Sequence, residues 1–415
     1  MNKFCIAPWI HVNIWPGGGV SPCCEAICDD QDLNDDPKDY HIFEVLKNTS
    51  TLFGSLNENS LSEIWNNQKF KDLRLDMING KKTNVCTNCY QKEDSGKVSL
   101  RQELNNRFQH HFDKVKLTNK DGSFDSVNLV YWDFRFTNSC NFKCRMCGPD
   151  LSSSWVSEIK NKFDIDCSVP KLDIDEHWED IDPLFDIVEE VYFAGGEPLI
   201  SEEHYKILKK LLQHKKLEIP ISYNTNFSTL TYKNIHIFDI WSKFKNLSVY
   251  VSVDGIGKRG ELIRKGFVWD KFVENILEFK KRVPRANLVI TPTVQALNSL
   301  HIFDLHKELF NLGIIDNVDQ FSFGYVFEPD YLSISILNDK LKEEVCSLTI
   351  DHIKNFIIPN NGKSTAKDFV SLIKILKSED KQYLLPKFLK YNDAIDKIRN
   401  ENTKLVFPEL NSLWQ

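Results

Sequence analysis

Cys140, Cys144 and Cys147 stand within eight residues of one another in TNSCNFKCRMCG. Metal is bound by the thiolate form of cysteine, and three thiolates on one loop can hold three irons of a 4Fe–4S cube. The fourth iron then keeps an open position, the mark of a catalytic metal centre rather than a purely structural one. A structural zinc site is the other chemistry that such a triplet supports. The chain has 11 cysteines. Besides the triad, Cys5, Cys23, Cys24, Cys28, Cys86 and Cys89 lie early, and only Cys167 and Cys346 stand apart. In a cytosolic chain such clustering points to metal binding or reactivity and not to a disulfide framework.

The triad follows the strand-like run Val127–Phe136, so its loop is expected at a strand end. Further strand-like runs are Glu190–Phe193, Ile219–Tyr223, Leu247–Val253, Asn287–Val294 and Gln320–Val326. Helix-like stretches such as His204–Lys215 and Trp269–Arg282 separate most of them. This alternation predicts parallel βαβ units of α/β class. Six strands predict an open or partial barrel, with its chemistry at the C-terminal strand ends. Residues 1–115 carry shorter elements: a strand in HVNIW, a tight turn in WPGGGVSPCC, and helices over 60–78 and 98–115. The polar stretch 116–126 is the expected boundary, the barrel spans 126–329, and residues 330–415 read as a helical region.

Composition sets the remaining bounds. Of the 415 residues 41% are hydrophobic and 27% charged, which fits a soluble globular chain. The net charge of -7 argues against nucleic acid as a partner. No apolar run is long enough to cross a bilayer, and the N-terminus does not read as a signal peptide, so the cytoplasm is the expected location with no membrane partner.

The C-x3-C-x2-C loop after the first barrel strand resembles the signature of the radical S-adenosylmethionine (SAM) superfamily. The resemblance implies that the open iron of a 4Fe–4S cluster binds the amino and carboxylate groups of SAM. Reductive cleavage then gives a 5′-deoxyadenosyl radical that abstracts hydrogen from a substrate. Met146 stands where the superfamily commonly has an aromatic residue, with its backbone still available to adenine. One βα unit later, VYFAGGEPLI resembles the motif that binds the SAM amino group, which assigns Gly195, Gly196 and Glu197 to it. Ser252 in LSVYVSVDG would bond the ribose or carboxylate. Arg264, twelve residues on, would grip a carboxylate with its planar fork; its alternative reading is a surface ion pair. Asp254 is expected either to touch ligand or to cap the next helix. Thr225 and Asn226 end the third strand and would face the cofactor, and backbone around Pro292 would meet adenine.

The early cysteines resemble the SPASM domain and its shortened form, the twitch domain, in the subgroup that places this module before the barrel. The resemblance implies an auxiliary 4Fe–4S cluster held by Cys5, Cys23, Cys86 and Cys89. Cys24 competes with Cys23, Cys28 is a spare, and a zinc ribbon is the alternative. The whole architecture would then be a partial (β/α)6 barrel with an N-terminal twitch-like domain and a helical C-terminal extension. Beyond the clusters, Cys167 and Cys346 are candidate hydrogen donors or small buried apolar residues. Glu328 is a candidate base or a surface ion pair. His11, His110 and His111 read as ordinary polar residues, Trp9, Trp15, Tyr131 and Trp132 as core, and Asp29–Asp36 as a solvated loop. The expected substrate is a peptide or protein side chain, with a small molecule (a sugar or amino acid) as the alternative. A flavodoxin or ferredoxin would serve as external one-electron donor. The reading of another class is a non-catalytic iron–sulfur or zinc protein.

Overall fold

The computed structural model describes residues 3–27, 53–94, 96 and 98–414. Cys28 and the acidic run Asp29–Asp36 lie outside the described residues. The N-terminal segment supplies β1 (His11–Ile14), β2 (Gly19–Ser21) and β3 (Gly54–Ser55). Then β4 (Tyr131–Phe134) leads into the cysteine loop, which carries the short β5 (Lys143–Cys144). After it come β6 (Glu190–Phe193), β7 (Pro220–Thr225) and a small hairpin of β8 (Thr231–Tyr232) and β9 (Ile235–His236). The chain continues through β10 (Asn246–Val251), β11 (Arg264–Lys265), β12 (Asn287–Ile290), β13 (Thr293–Val294) and β14 (Gly324–Tyr325).

One eight-stranded sheet runs in the order β12-β10-β7-β6-β4-β1-β2-β3. Neighbours from β12 to β1 are parallel, whereas β1–β2 and β2–β3 are antiparallel. The N-terminal strands therefore extend the barrel sheet directly through the β1–β4 pairing. Gly17 and Gly18 make the β1–β2 turn possible, both with positive φ.

Side chains alternate across a strand, and here the two faces differ in kind. Val12, Trp132, Phe134, Val191, Phe193, Ile221, Val249 and Ile290 are buried on one face. His11, Asn13, Tyr131, Asp133, Glu190 and Tyr192 occupy the alternate positions. A parallel sheet covered by helices on both sides reads as continuous apolar strands. The polar face identifies the concave interior of an open barrel.

Several elements depart from expectation. The stretch 60–78 is two helices, Leu61–Trp65 and Gln68–Ile78, because the Asn67 side chain caps the second by accepting from Phe70 N–H at 3.0 Å. The helix expected over 98–115 stops at Arg107 and continues as 3-10 turns. The run 287–294 divides at Pro292, which has no amide hydrogen to give, and the last strand meets the main sheet at a single parallel bridge, Ile290–Phe321, before it pairs with β13. Residues from 330 on form the expected helices, chiefly Asp339–His352, Ser364–Ser378 and Leu385–Arg399. Among the described residues no helix is long and apolar enough to cross a membrane.

Candidate functional site

The cysteine loop lies over the C-terminal ends of the parallel strands, and hydrogen bonds fix its path. Ser154 Oγ donates to the Cys140 carbonyl at 2.7 Å, and Trp155 Nε1 to the Cys144 carbonyl at 2.9 Å. Cys144 and Arg264 are cross-strand partners in the antiparallel β5–β11 pair. Arg264 Nη1 stands 3.9 Å from Cys144 Sγ. Burial pushes the Cys140 thiol up to about 12. Cys144 shifts the other way, lowered by its hydrogen bond with Cys147 and by the Arg264 charge, and metal loading would draw the remaining protons off.

Arg264 is buried at 8% exposure, which excludes the surface ion pair. Its Nε pairs with Asp254 Oδ2 at 2.7 Å and its Nη2 donates to Oδ1 at 3.1 Å. Asp254 also accepts from Thr293 N–H at 2.8 Å, so it ties β11 to β13. It does not cap the following helix, Gly257–Ile263, which has no side-chain cap.

The GGE segment is stitched to the cysteine loop. Gly196 N–H donates to the Thr137 carbonyl at 3.1 Å and Glu197 N–H to the Ser139 carbonyl at 2.7 Å. A Cβ on Gly196 would fall 2.3 Å from the Ser139 oxygen, so only glycine allows this approach. Glu197 is 2% exposed. Its carboxylate accepts from Thr225 Oγ1 at 2.7 Å, Asn226 N–H at 2.6 Å and Leu199 N–H at 3.0 Å. Burial outweighs these bonds and raises its pKa to about 7. Among the described residues no cation pairs with it, so the site fits a ligand that brings an ammonium group.

A pH dependence follows. The unfolded chain releases this proton near the ordinary glutamate value, whereas the folded chain keeps it until about pH 7. Over that window the unfolded state binds fewer protons, so stability falls as pH rises. Melting of the ligand-free protein should show this decline between about pH 4.5 and pH 7, and Glu197→Gln should remove it.

The other sequence-predicted residues divide. Thr225 is buried; besides donating to Glu197 its hydroxyl accepts from Phe227 N–H at 3.0 Å, so it orients the glutamate. Asn226 Nδ2 lies 4.0 Å from Cys140 Sγ and donates to Asn141 Oδ1 at 2.9 Å. Ser252 continues the strand end, its N–H donating to the Thr225 carbonyl at 2.9 Å. Met146 is half-buried beside Cys147. Pro292 is buried and its carbonyl accepts from Gly324 N–H at 3.2 Å. Glu328 is exposed. Cys167 is buried in the apolar core, and Cys346 is half-buried on the helix Asp339–His352.

The structure brings Cys5, Cys23, Cys86 and Cys89 into one electrostatically coupled group. Burial raises all four thiols, Cys86 to about 12. Backbone N–H groups aim at the sulfurs, from Ala7 to Cys5 and from Arg101 to Cys89, as suits thiolates that hold a metal. Cys24 adjoins Cys23 and bonds the Arg135 guanidinium.

Arg135 marks the polar interior. It forms a fork with Asp133, both bonds at 3.0 Å, and lies 4.6 Å over the Trp15 ring. Trp15 is thus half-buried at the interior, Tyr131 is buried on the same polar face against the His11 ring, and Trp9 and Trp132 are core as expected. Beside the fork, both amide atoms of Asn13 and the Nε2 of His11 are buried with no hydrogen-bond partner among the described residues. Burial lowers the His11 pKa to about 4, so its ring is neutral. His110 and His111 both bond Glu189, at 2.8 and 2.9 Å.

One anchor was not foreseen from the sequence. Arg145, fully buried within the cysteine loop, reaches Asn392 at 2.7 Å, Asp396 at 2.6 Å and Glu401 at 2.8 Å. Tyr391 OH donates to the Arg145 carbonyl at 2.6 Å. The C-terminal helices therefore grip the loop from outside. The signal available was an arginine between two cysteines, and its partners lie more than 240 residues away.

Comparisons with known proteins agree with this geometry. Residues 134–298 match the Radical SAM superfamily, and residues 5–90 match an iron–sulfur cluster-binding domain, SPASM. The chain is 19% identical over 298 residues to a 7,8-dihydro-6-hydroxymethylpterin dimethyltransferase of Methanocaldococcus jannaschii, covering 67% of this chain and 57% of the relative. It is 29% identical over 147 residues to a GTP 3′,8-cyclase of Aliarcobacter butzleri, covering 35% of this chain and 41% of the relative. The chain thus spans less than two thirds of either relative. Among solved structures, anSMEcpe with bound AdoMet aligns at TM-score 0.41 and 18% identity, covering 56% of this chain and 62% of that one. Streptococcus suis SuiB aligns at TM-score 0.40 and 15% identity, covering 69% of this chain and 62% of that one.

Proposed function

Since the chain belongs to the radical SAM superfamily of enzymes and carries an iron–sulfur cluster-binding domain before its barrel, we propose that it cleaves S-adenosylmethionine reductively to functionalise a peptide or protein side chain. The observation that carries the reading is the convergence of Cys140, Cys144, Cys147, Glu197 and Arg264 on one set of strand ends. Cys140, Cys144 and Cys147 would hold a 4Fe–4S cluster there, and that group would supply the one-electron reduction of the sulfonium from which hydrogen abstraction starts. The residues of the chain do the rest. Glu197 receives the ligand ammonium in a site already shut to water, held by Thr225 and the Asn226 amide. Arg264, set by Asp254, directs its remaining donors toward the ligand carboxylate. Ser252 lines the strand end beside them. Cys5, Cys23, Cys86 and Cys89 would hold the auxiliary 4Fe–4S cluster in the wall formed by β1–β3.

The interior supports an uncharged polar substrate. Arg135 is paired with Asp133, and Arg107 with Glu190 at 2.8 Å. A phosphate-bearing substrate would call for unpaired cations here. Asn13 offers one donor and one acceptor, the complement of an amide group. A hydroxylated or amino-acid-like small molecule is the alternative outcome of the same test. Anaerobic reconstitution should give a brown protein with about eight irons that forms 5′-deoxyadenosine. Deuterium from a labelled peptide should then enter the 5′-deoxyadenosine. A colourless zinc protein with no cleavage would overturn the reading.

A further inference from the structure

The chain is acidic overall, yet the surface beside the cysteine loop is basic. A groove of about 290 Å³ there is lined by Lys143, Lys162, Lys265 and Arg399, with Glu158 at its base. Glu158 is buried and tied down by Lys143 at 2.7 Å and Arg399 at 2.9 Å. Lys162 is exposed, and Lys265, 42% exposed, pairs with Glu401 at 2.9 Å. Four cations thus stand against the carboxylates of Glu158 and Glu401, which leaves the groove an excess of positive charge in a protein of net charge -7.

Its position is as informative as its charge. Lys143 is the residue before Cys144, and Lys265 the residue after Arg264, so both strands of the β5–β11 pair contribute a lysine to the groove. Consecutive Cα atoms stand about 3.8 Å apart, so the groove wall and the sulfur-bearing strand are one structure. On the opposite wall the Arg399 guanidinium lies 4.5 Å over the Trp155 ring, whose Nε1 bonds the Cys144 carbonyl. A continuous packed path thus leads from the groove to the cysteine loop, on the outer side of the loop and away from the polar interior.

We propose that this groove is the docking site of a small acidic electron-carrier protein, of flavodoxin or ferredoxin type. One electron leaves the carrier and enters the cluster held by Cys140, Cys144 and Cys147, with no bond made or broken and no proton required. Lys162 and Lys265 steer and seat the acidic carrier, and the fixed Lys143–Glu158–Arg399 unit forms the floor of the interface. This rests on the radical SAM reading above, and the test separates the two.

The experiment compares the intact protein with a Lys162→Glu/Lys265→Gln variant. Binding of an oxidised flavodoxin is titrated at low and high salt. SAM cleavage is measured with reduced flavodoxin and, separately, with dithionite, which needs no docking site. Flavodoxin affinity and flavodoxin-driven cleavage should fall about tenfold or more in the variant, with a shallower salt dependence. Dithionite-driven cleavage and iron content should stay unchanged. A Lys162→Arg variant should behave as the parent. Unchanged flavodoxin affinity would place the carrier elsewhere and overturn the proposal. Equal losses with flavodoxin and dithionite would also overturn it, because the lysines would then serve the cluster and not the docking. Absence of dithionite-driven cleavage in the parent would instead refute the enzymatic reading itself.

Discussion

A Cys140→Ala/Cys144→Ala/Cys147→Ala variant should form no 5′-deoxyadenosine while keeping about four of about eight irons. Two features of the fold separate the effects. The triad lies beyond the end of β4, on a loop held by Ser154, Trp155 and the C-terminal helices. The N-terminal four lie outside that loop, Cys86 and Cys89 on the turn and helix of residues 84–94, with backbone donors from Ala7 and Arg101 that the triple change does not touch. The sulfur-deleted loop also retains its anchor, since Arg145 still reaches Asp396 and Glu401. The variant should therefore fold. Iron analysis together with chromatography of the nucleoside products provides the measurement. Retained 5′-deoxyadenosine formation would sink the assignment of the triad. Loss of all iron would show that the two groups depend on each other. The reciprocal Cys86→Ala/Cys89→Ala variant should lose the auxiliary iron and keep cleavage.

Much of this arrangement was legible because local pattern and tertiary position agree. A C-x3-C-x2-C triplet after a strand has few uses, and GGE one βα unit later needs glycine for a visible reason: the Ser139 oxygen occupies the space of a Cβ on Gly196. The parallel sheet was readable from strand–helix alternation, and Trp269–Arg282 forms a helix over the expected residues. What the sequence hid was long-range pairing. Nothing local says that β1 joins β4 and carries the N-terminal segment into the barrel sheet. Likewise Cys23 and Cys24 are adjacent, each separated by four residues from a glycine, Gly18 or Gly19, and the bond of Cys24 to Arg135 is visible only in the fold. Arg145 and its C-terminal partners were invisible for the same reason, as ion pairs across hundreds of residues leave no periodic trace. The helix break at Asn66 and Asn67 has a different origin: the apolar helical period runs on across the cap residue, so periodicity alone does not mark it.

Arg264→Ala should lower stability and SAM affinity together, and the geometry says how to separate the two losses. Asp254 is 1% exposed, and its carboxylate faces the Arg264 guanidinium through one hydrogen bond and one close charge contact. Taking away the arginine leaves a buried charge supported only by the Thr293 amide, at a cost of about 3–5 kcal/mol. Lost affinity in that variant would therefore be ambiguous. The Asp254→Asn/Arg264→Met pair removes both charges and should recover most of the stability, because no buried ion is then left without a partner. It still lacks the guanidinium fork. If Arg264 binds the SAM carboxylate, affinity in the paired variant stays at least about tenfold below the parent although folding is restored. Denaturant unfolding gives the stability, and calorimetric titration of SAM gives the affinity. Recovery of affinity along with stability would make Arg264 a brace for β11 and for Cys144, its cross-strand neighbour, and leave the SAM carboxylate to the backbone of the strand ends.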